Sequence, residues 1–291
     1  MSDQQKQPVT PRPAATVMML RDGPEGMEVF MVKRHHQIDF ATGALVFPGG
    51  SADPGDCSAT VRARSDGAEH YDDEELRFRV ACVREAFEET GLLLCRRPDS
   101  DHVLEADECT ALHAYRDKLE ANELDFGEFL ERENLICVAN RLSHFAHWIT
   151  PAGMPKRFDT HFYAAQAPAR QLARHDGGEN VDSVWITPSE ACAAADRGDY
   201  TVIFPTRVNI EKLDRMGKDV ASAMAAIEAD KVVTVLPQVT PIEGGRVMKI
   251  PAEAGYGFSE VAIKGKPGTQ GNVQVIERDG QQFGLAAQLK D

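Results

Sequence analysis

The nine residues Arg84-Glu85-Ala86-Phe87-Glu88-Glu89-Thr90-Gly91-Leu92 hold the side chains best spaced for chemistry. In a helix Glu85 and Glu89 lie four apart and share a face, with Glu88 three from Glu85. Each like-charged pair at that spacing costs roughly 0.2–0.5 kcal/mol, and the negative end of the helix dipole adds a similar penalty. Arg84 can relieve Glu88 through an i,i+4 pair. The other acids call for a further cation, and carboxylate oxygens suit hard divalent ions such as Mg²⁺ or Mn²⁺. A solvated acidic helix face would have the same local composition. The segment upstream separates the two readings. A short strand runs into Phe47-Pro48-Gly49-Gly50, whose backbone can turn tightly enough to bring a carbonyl toward a metal.

The elements that must position this run follow from periodicity and punctuation. Ala14 to Leu20 and Met27 to Lys33 read as two strands joined by a turn. In the second, Val29 and Met31 face one side and Phe30 and Val32 the other. Ala44 to Phe47 reads as a third strand that Pro48-Gly49-Gly50 stops. Residues 51–73 lack helical periodicity and read as a loop. A helix is expected from near Asp73 and Glu74, acids that suit the positive end of its dipole. It carries one apolar stripe, Leu76, Val80, Val83 and Phe87, and stops at Gly91. Residues 105–133 read as two helices broken near 123–127. Strands are expected at 135–139, 146–149, 159–165 and 181–186, a helix from Pro188 to Ala195, a longer helix from Arg207 to Ile227 and a strand at 231–236. The Gly-rich stretch 238–291 reads as short hairpins. This order predicts an α/β fold, a mixed sheet flanked by helices.

Bulk properties exclude several classes. The formal charge is −14 over 291 residues, and no basic stripe offers a nucleic-acid surface. No apolar run reaches the roughly 18 residues of a membrane span. Residues 1–13 are polar and lack the basic-then-apolar pattern of a signal peptide, so they read as a disordered tail. Six scattered cysteines without a Cys-x-x-Cys pair suggest reduced packing residues and a cytoplasmic setting. His144, His147 and His161 sit in or beside strands and read as structural histidines.

With these residues in view, the sequence resembles the Nudix hydrolases. Their signature is Gly-x5-Glu-x7-Arg-Glu-U-x-Glu-Glu-x-Gly-U, with U aliphatic. Gly50 matches its opening glycine, and Arg84, Glu85, Glu88, Glu89, Gly91 and Leu92 match its second half. Gly50 precedes Arg84 by 34 positions, which inserts 20 residues into the signature. Counted from Gly50, the early acid is Asp56; counted back from Arg84, it is Leu76, with Glu75 adjacent. The resemblance covers roughly residues 14–200. It implies an α/β/α sandwich with a mixed sheet. The expected division is a Nudix domain over 14–237, with a loop insertion at 51–73 and a helical insertion at 96–134, and a β-rich extension over 238–291. It further implies Mg²⁺- or Mn²⁺-dependent hydrolysis of a diphosphate linkage in a small nucleotide-type substrate, and a homodimer as a common state.

Carried over residue by residue, the resemblance makes Glu85 and Glu89 metal ligands. Glu88 becomes a water-mediated ligand or the partner of Arg84, and the Gly49 or Gly50 carbonyl a further ligand. Glu179, six residues before Trp185, stands where such proteins place another acid, as ligand or base. The stretches 34–53, 148–151 and 155–160 are similar to coenzyme A and acyl-CoA diphosphatases of the family, which makes CoA the favoured substrate. Arg34, His35, His36, Lys156 and Arg157 are candidate phosphate contacts. ADP-ribose, NADH and nucleoside triphosphates are rival substrates, although family members acting on NADH often carry a four-cysteine zinc module that this chain lacks. A non-catalytic nucleotide-binding protein is the other class, and intact Glu85 and Glu89 argue against it.

Overall fold

A computed structural model describes residues 9–34, 44–168, 171, 180–265 and 274–285. The chain begins with the hairpin β1 (Arg12–Gly23) and β2 (Gly26–Arg34), then β3 (Leu45–Val46) and β4 (Gly49–Ser51). A 3-10 turn (Pro54–Cys57), α1 (Ala59–Ala63) and a second turn (Ala68–His70) lead into α2 (Asp73–Thr90). After β5 (Cys95–Arg96) come α3 (Ala106–Leu112), α4 (Arg116–Glu120) and α5 (Phe126–Arg132). β6 (Ile136–Cys137), β7 (Ser143–Ile149), β8 (Phe158–Gln166) and β9 (Asn180–Ile186) follow. Next are α6 (Pro188–Arg197), α7 (Phe204–Met216), α8 (Val220–Ala229) and β10 (Thr234–Val235). The chain closes with β11 (Gln238–Ile242), β12 (Gly245–Lys249), β13 (Glu260–Lys264), β14 (Val275–Arg278) and β15 (Gln281–Gly284).

The main sheet is mixed. Its strands run in the order β10-β7-β8-β1-β2-β3, with β4 also paired to β1 and β9 to β2. β1 lies parallel to β8 and antiparallel to β2 and β4. Alternation along the strands sends side chains to two cores. Ala15, Val17, Met19, Phe30 and Val32 face α2, whereas Met18, Leu20, Val29 and Met31 face α7 and α8. The result is a three-layer α/β/α arrangement, and the two-sided reading of β2 holds. The second core also takes in Met248, Val261, Ile263 and Ile276 from the five-stranded C-terminal sheet.

α2 begins and ends as its sequence signals. The Asp72 carboxylate caps the Glu75 N–H, three acids occupy the first turn, and Gly91 closes it in the left-handed region at φ 73°. The stripe of Leu76, Val80, Val83 and Phe87 is fully buried. Each such side chain contributes about 1.5–3 kcal/mol by burial. Phe87 stacks on Phe129 of α5 at 5.6 Å, so α5 covers a flank of α2 that a single apolar stripe would leave to water.

Several boundaries differ from the sequence reading. Gly49–Ser51 does not merely stop β3; it pairs with Ala14–Thr16 as β4. Residues 51–73 are not a plain loop but hold α1 and two 3-10 turns. The helix expected over Arg207 to Ile227 is two helices broken at Gly217. A side chain there would meet the Ala223 backbone nitrogen at 2.5 Å, so the chain folds back on itself too closely for one straight helix. Among the described residues no helix is long and apolar enough to cross a membrane.

Candidate active site

β4 and the last turns of α2 face each other, and two glycines make the approach close. Gly49 adopts φ +154°, and a Cβ on it would lie 2.3 Å from the Ala15 carbonyl oxygen. A Cβ on Gly50 would lie 2.5 Å from the Glu85 carboxylate. The Gly49 N–H donates to Glu89 Oε2 at 3.0 Å. Glu85, Glu89 and the backbone of Gly49 and Gly50 are therefore brought together, as the motif leads one to expect.

Arg84 organises the rest. Its Nη1 donates to Glu85 at 2.9 Å and to Glu88 at 3.1 Å. Its Nε and Nη2 donate to the two oxygens of Asp56 at 2.9 and 3.0 Å, and Nη2 also reaches the Ser51 carbonyl at 2.7 Å. Of the two candidates for the early acid position, Asp56 is thus the one paired with Arg84, and Leu76 is a core residue. α1 and the second 3-10 turn lie between Asp56 and α2. Asp56 Oδ2 also accepts the Asp53 N–H at 2.8 Å, which locks the 3-10 turn.

Three nearly buried carboxylates, of Asp56, Glu85 and Glu88, gather around one guanidinium, and Glu89 stands beside them on the Gly49 N–H. Burial pulls the Arg84 pKa down, but Asp56, Glu85 and Glu88 more than reverse it and hold the charge firmly. Burial pushes Glu85 up to about 7 and Glu88 up to about 8 against the opposing pull of Arg84. The other oxygen of Glu88, Oε1, is buried without a hydrogen-bond partner. An oxygen-only donor set, an orphaned buried carboxylate oxygen and acids starved of positive charge fit a hard divalent cation.

The carbonyls at the end of α2 are also satisfied from residues 109–116. Arg116 donates to the Glu88 carbonyl through Nε at 3.1 Å and Nη2 at 2.8 Å. Cys109 Sγ and His113 Nε2 both reach the Gly91 carbonyl at 3.2 Å. These partners place a cation and donors at the negative end of the helix. Sequence reasoning missed them, and nothing local to residues 109–116 signals contacts made 18 to 28 positions away.

The remaining candidates fall elsewhere. Arg157 is buried, and its guanidinium donates to the carbonyls of Thr150 at 3.0 Å and Val9 at 2.7 Å, fastening the N-terminal strand. Lys156 is exposed. Arg34 closes β2; its side chain, His35, His36 and Glu179 lie outside the described residues.

Comparison with known proteins assigns the family. Residues 60–213, more than half of the chain, match the family model described as NUDT19 Nudix domain. The chain belongs to this Nudix family. The acyl-coenzyme A diphosphatase NUDT19 of Xenopus laevis is 25% identical over 205 residues, which are 56% of this chain and 53% of that protein. The Homo sapiens protein of that name is 24% identical over 302 residues, 89% of this chain and 80% of that protein. The putative nudix hydrolase 7 of Caenorhabditis elegans is 30% identical over 192 residues, 65% of this chain and 56% of that protein. The chain thus spans about half the length of the frog and nematode Nudix relatives. A Nudix hydrolase structure from Alicyclobacillus acidocaldarius is 27% identical, with a TM-score of 0.60 over 75% of this chain and 96% of that one.

Proposed function

We propose that this Nudix protein is a divalent-metal-dependent diphosphohydrolase that cleaves the diphosphate linkage of coenzyme A or acyl-CoA. The observation that carries the metal-dependent part is the cluster of Asp56, Glu85 and Glu88 on the Arg84 guanidinium, with Glu85 and Glu89 set against the Gly49-Gly50 backbone. The names of the frog and human relatives support the CoA part.

Glu85 and Glu89 would hold Mg²⁺ or Mn²⁺, with Glu88 through its free oxygen and the β4 backbone as further donors. A bound divalent ion supplies charge to the diphosphate oxygens and makes water a stronger nucleophile. Arg84 keeps Glu85 and Glu88 oriented and opposes the burial that favours their neutral forms; a bound cation would complete their ionisation. The carboxylates then accept the proton that water loses. Water adds across the P–O–P bridge, one phosphorus taking its oxygen and the other phosphate leaving with the bridging oxygen. From CoA the products are a nucleoside 3′,5′-bisphosphate and a phosphopantetheine. Glu179 is the proposed further acid, as ligand or base; Glu179→Gln then slows turnover, and unchanged kinetics would remove it from the site.

The test is product analysis on CoA, acetyl-CoA, ADP-ribose and NADH, each with Mg²⁺ or Mn²⁺ and with EDTA. The expected result is a 3′,5′-bisphosphate from CoA, abolished by EDTA. Metal-dependent cleavage of ADP-ribose or NADH alone would overturn the CoA assignment while keeping the chemistry. No cleavage of any compound would favour a nucleotide-binding role.

A further inference from the structure

The sheet face beneath α2 carries a second group of ligating side chains that the hydrolytic site does not use. Asp159 and His161 are two apart on β8 and therefore share a face. His147 stands directly opposite His161 on β7. Ligand atoms of His147, Asp159 and His161 all lie within 4.8 Å of one another, and all three residues are half-buried. Two positions on one strand and one on its neighbour give a three-pronged set without any loop.

The surroundings orient these atoms. His161 Nδ1 lies 3.1 Å from His144 Nε2. With its proton on Nδ1 and shared with His144, His161 keeps the Nε2 lone pair for a metal. Phe78 of α2 stacks on the His161 ring at 4.0 Å and fixes its plane. On His147, Nε2 lies 2.5 Å from Asp159 Oδ1 and Nδ1 lies 2.9 Å from Thr234 Oγ1. Ligation through Nε2 moves the His147 proton to Nδ1, where the Thr234 hydroxyl is placed to accept it. A hydroxyl or carboxylate behind a ligating imidazole is the usual means of fixing its tautomer.

We propose that His147, Asp159 and His161 form a second metal site, for a borderline transition-metal ion of the Zn²⁺ class rather than for Mg²⁺. Two imidazoles and one carboxylate match that class, whereas Mg²⁺ takes oxygen donors. Three protein ligands leave a position open to water. The site is distinct from the carboxylate cluster. Gly50, Ala15 and His161 are register neighbours on β4, β1 and β8. With strands about 4.8 Å apart, the His161 backbone lies about 10 Å from that of Gly50.

The experiment is Zn²⁺ titration of the full chain by calorimetry, with Co²⁺ as a spectroscopic probe, in a large excess of Mg²⁺. It uses wild type and the Glu85→Gln/Glu89→Gln double variant, each with and without Asp159→Asn or His161→Asn. The expected result is one Zn²⁺ equivalent in the double variant and visible d–d absorption from Co²⁺. Asp159→Asn and His161→Asn should weaken both at least tenfold. Asp159→Asn keeps an acceptor for His147, so its metal-free melting curve should match that of its parent, and weakened binding then reports ligation rather than unfolding. Zn²⁺ binding that is absent in the double variant, or unaffected by Asp159→Asn and His161→Asn, would overturn the proposal.

Discussion

Replacing Arg84 by Met tests the electrostatics of the candidate site most severely. Met keeps much of the side-chain volume and removes the charge. It leaves Asp56, with its side chain 2% exposed, beside Glu85 and Glu88 with no cation among them. Removing one partner of a buried pair costs about 3–5 kcal/mol. Asp56→Asn should cost less, about 1–3 kcal/mol, because Arg84 keeps Ser51, Glu85 and Glu88. The double variant should fall short of the sum of the singles by about 0.5–3 kcal/mol, since the two groups touch. Urea unfolding in EDTA at pH 7 measures all four proteins. The Arg84→Met deficit should also be larger at pH 8 than at pH 5, because the stranded carboxylates escape the penalty only by taking up protons. An Arg84→Met protein within about 0.5 kcal/mol of wild type, the range of ordinary surface substitutions, would refute the buried cluster. Strict additivity would refute the contact with Asp56.

Three further outcomes follow from the same geometry. Glu89→Gln should lower turnover at least about a hundredfold with the fold intact, because the cation loses an anionic ligand; a near-normal rate would remove Glu89 from the site. Gly50→Ala should reduce turnover about tenfold or more with a small stability change, since the new Cβ displaces the flexible end of Glu85 rather than backbone; unchanged kinetics would show that Glu85 need not sit against β4. In EDTA, stability should fall as pH rises. The folded-state pKa values of Glu85 and Glu88 lie above the ordinary 4.5, so their contribution is complete below about 4.5 and is lost through about 7 to 8. The slope reaches at most about 1.4 kcal/mol per pH unit per group. Saturating Mg²⁺ should flatten or reverse it in thermal melts, and a pH-independent melt in EDTA would contradict the buried acids.

What was readable in the chain depended on whether the determinants were local. α2 announced itself through the first-turn acids Asp73 and Glu74, the 3.6-residue stripe and Gly91, each acting within a turn or two; the Asp72 cap went unread. The two-sided pattern of β2 was equally local. α1 spans only five residues and offers too little periodicity to read. β4 is a strand because β1 lies beside it, and nothing in Gly49-Gly50-Ser51 favours extension. Gly217 was legible as a breaker, but helix-forming residues on both sides concealed it. The ambiguity between Asp56 and Leu76 needed three dimensions. α1 and a 3-10 turn separate Asp56 from α2 in sequence, yet the fold pairs Asp56 with Arg84. Arg116 left no trace in the sequence, because its partner is a backbone carbonyl 28 positions away.

α2 is placed to hold a divalent ion against β4. Titration of Mn²⁺ into wild-type and Glu85→Gln/Glu89→Gln proteins, followed by electron paramagnetic resonance of the free ion, tests this without reference to any substrate. The prediction is a tight Mn²⁺ site in wild type that is lost from the double variant while circular dichroism shows the same fold. Equal Mn²⁺ binding by the two proteins would contradict it.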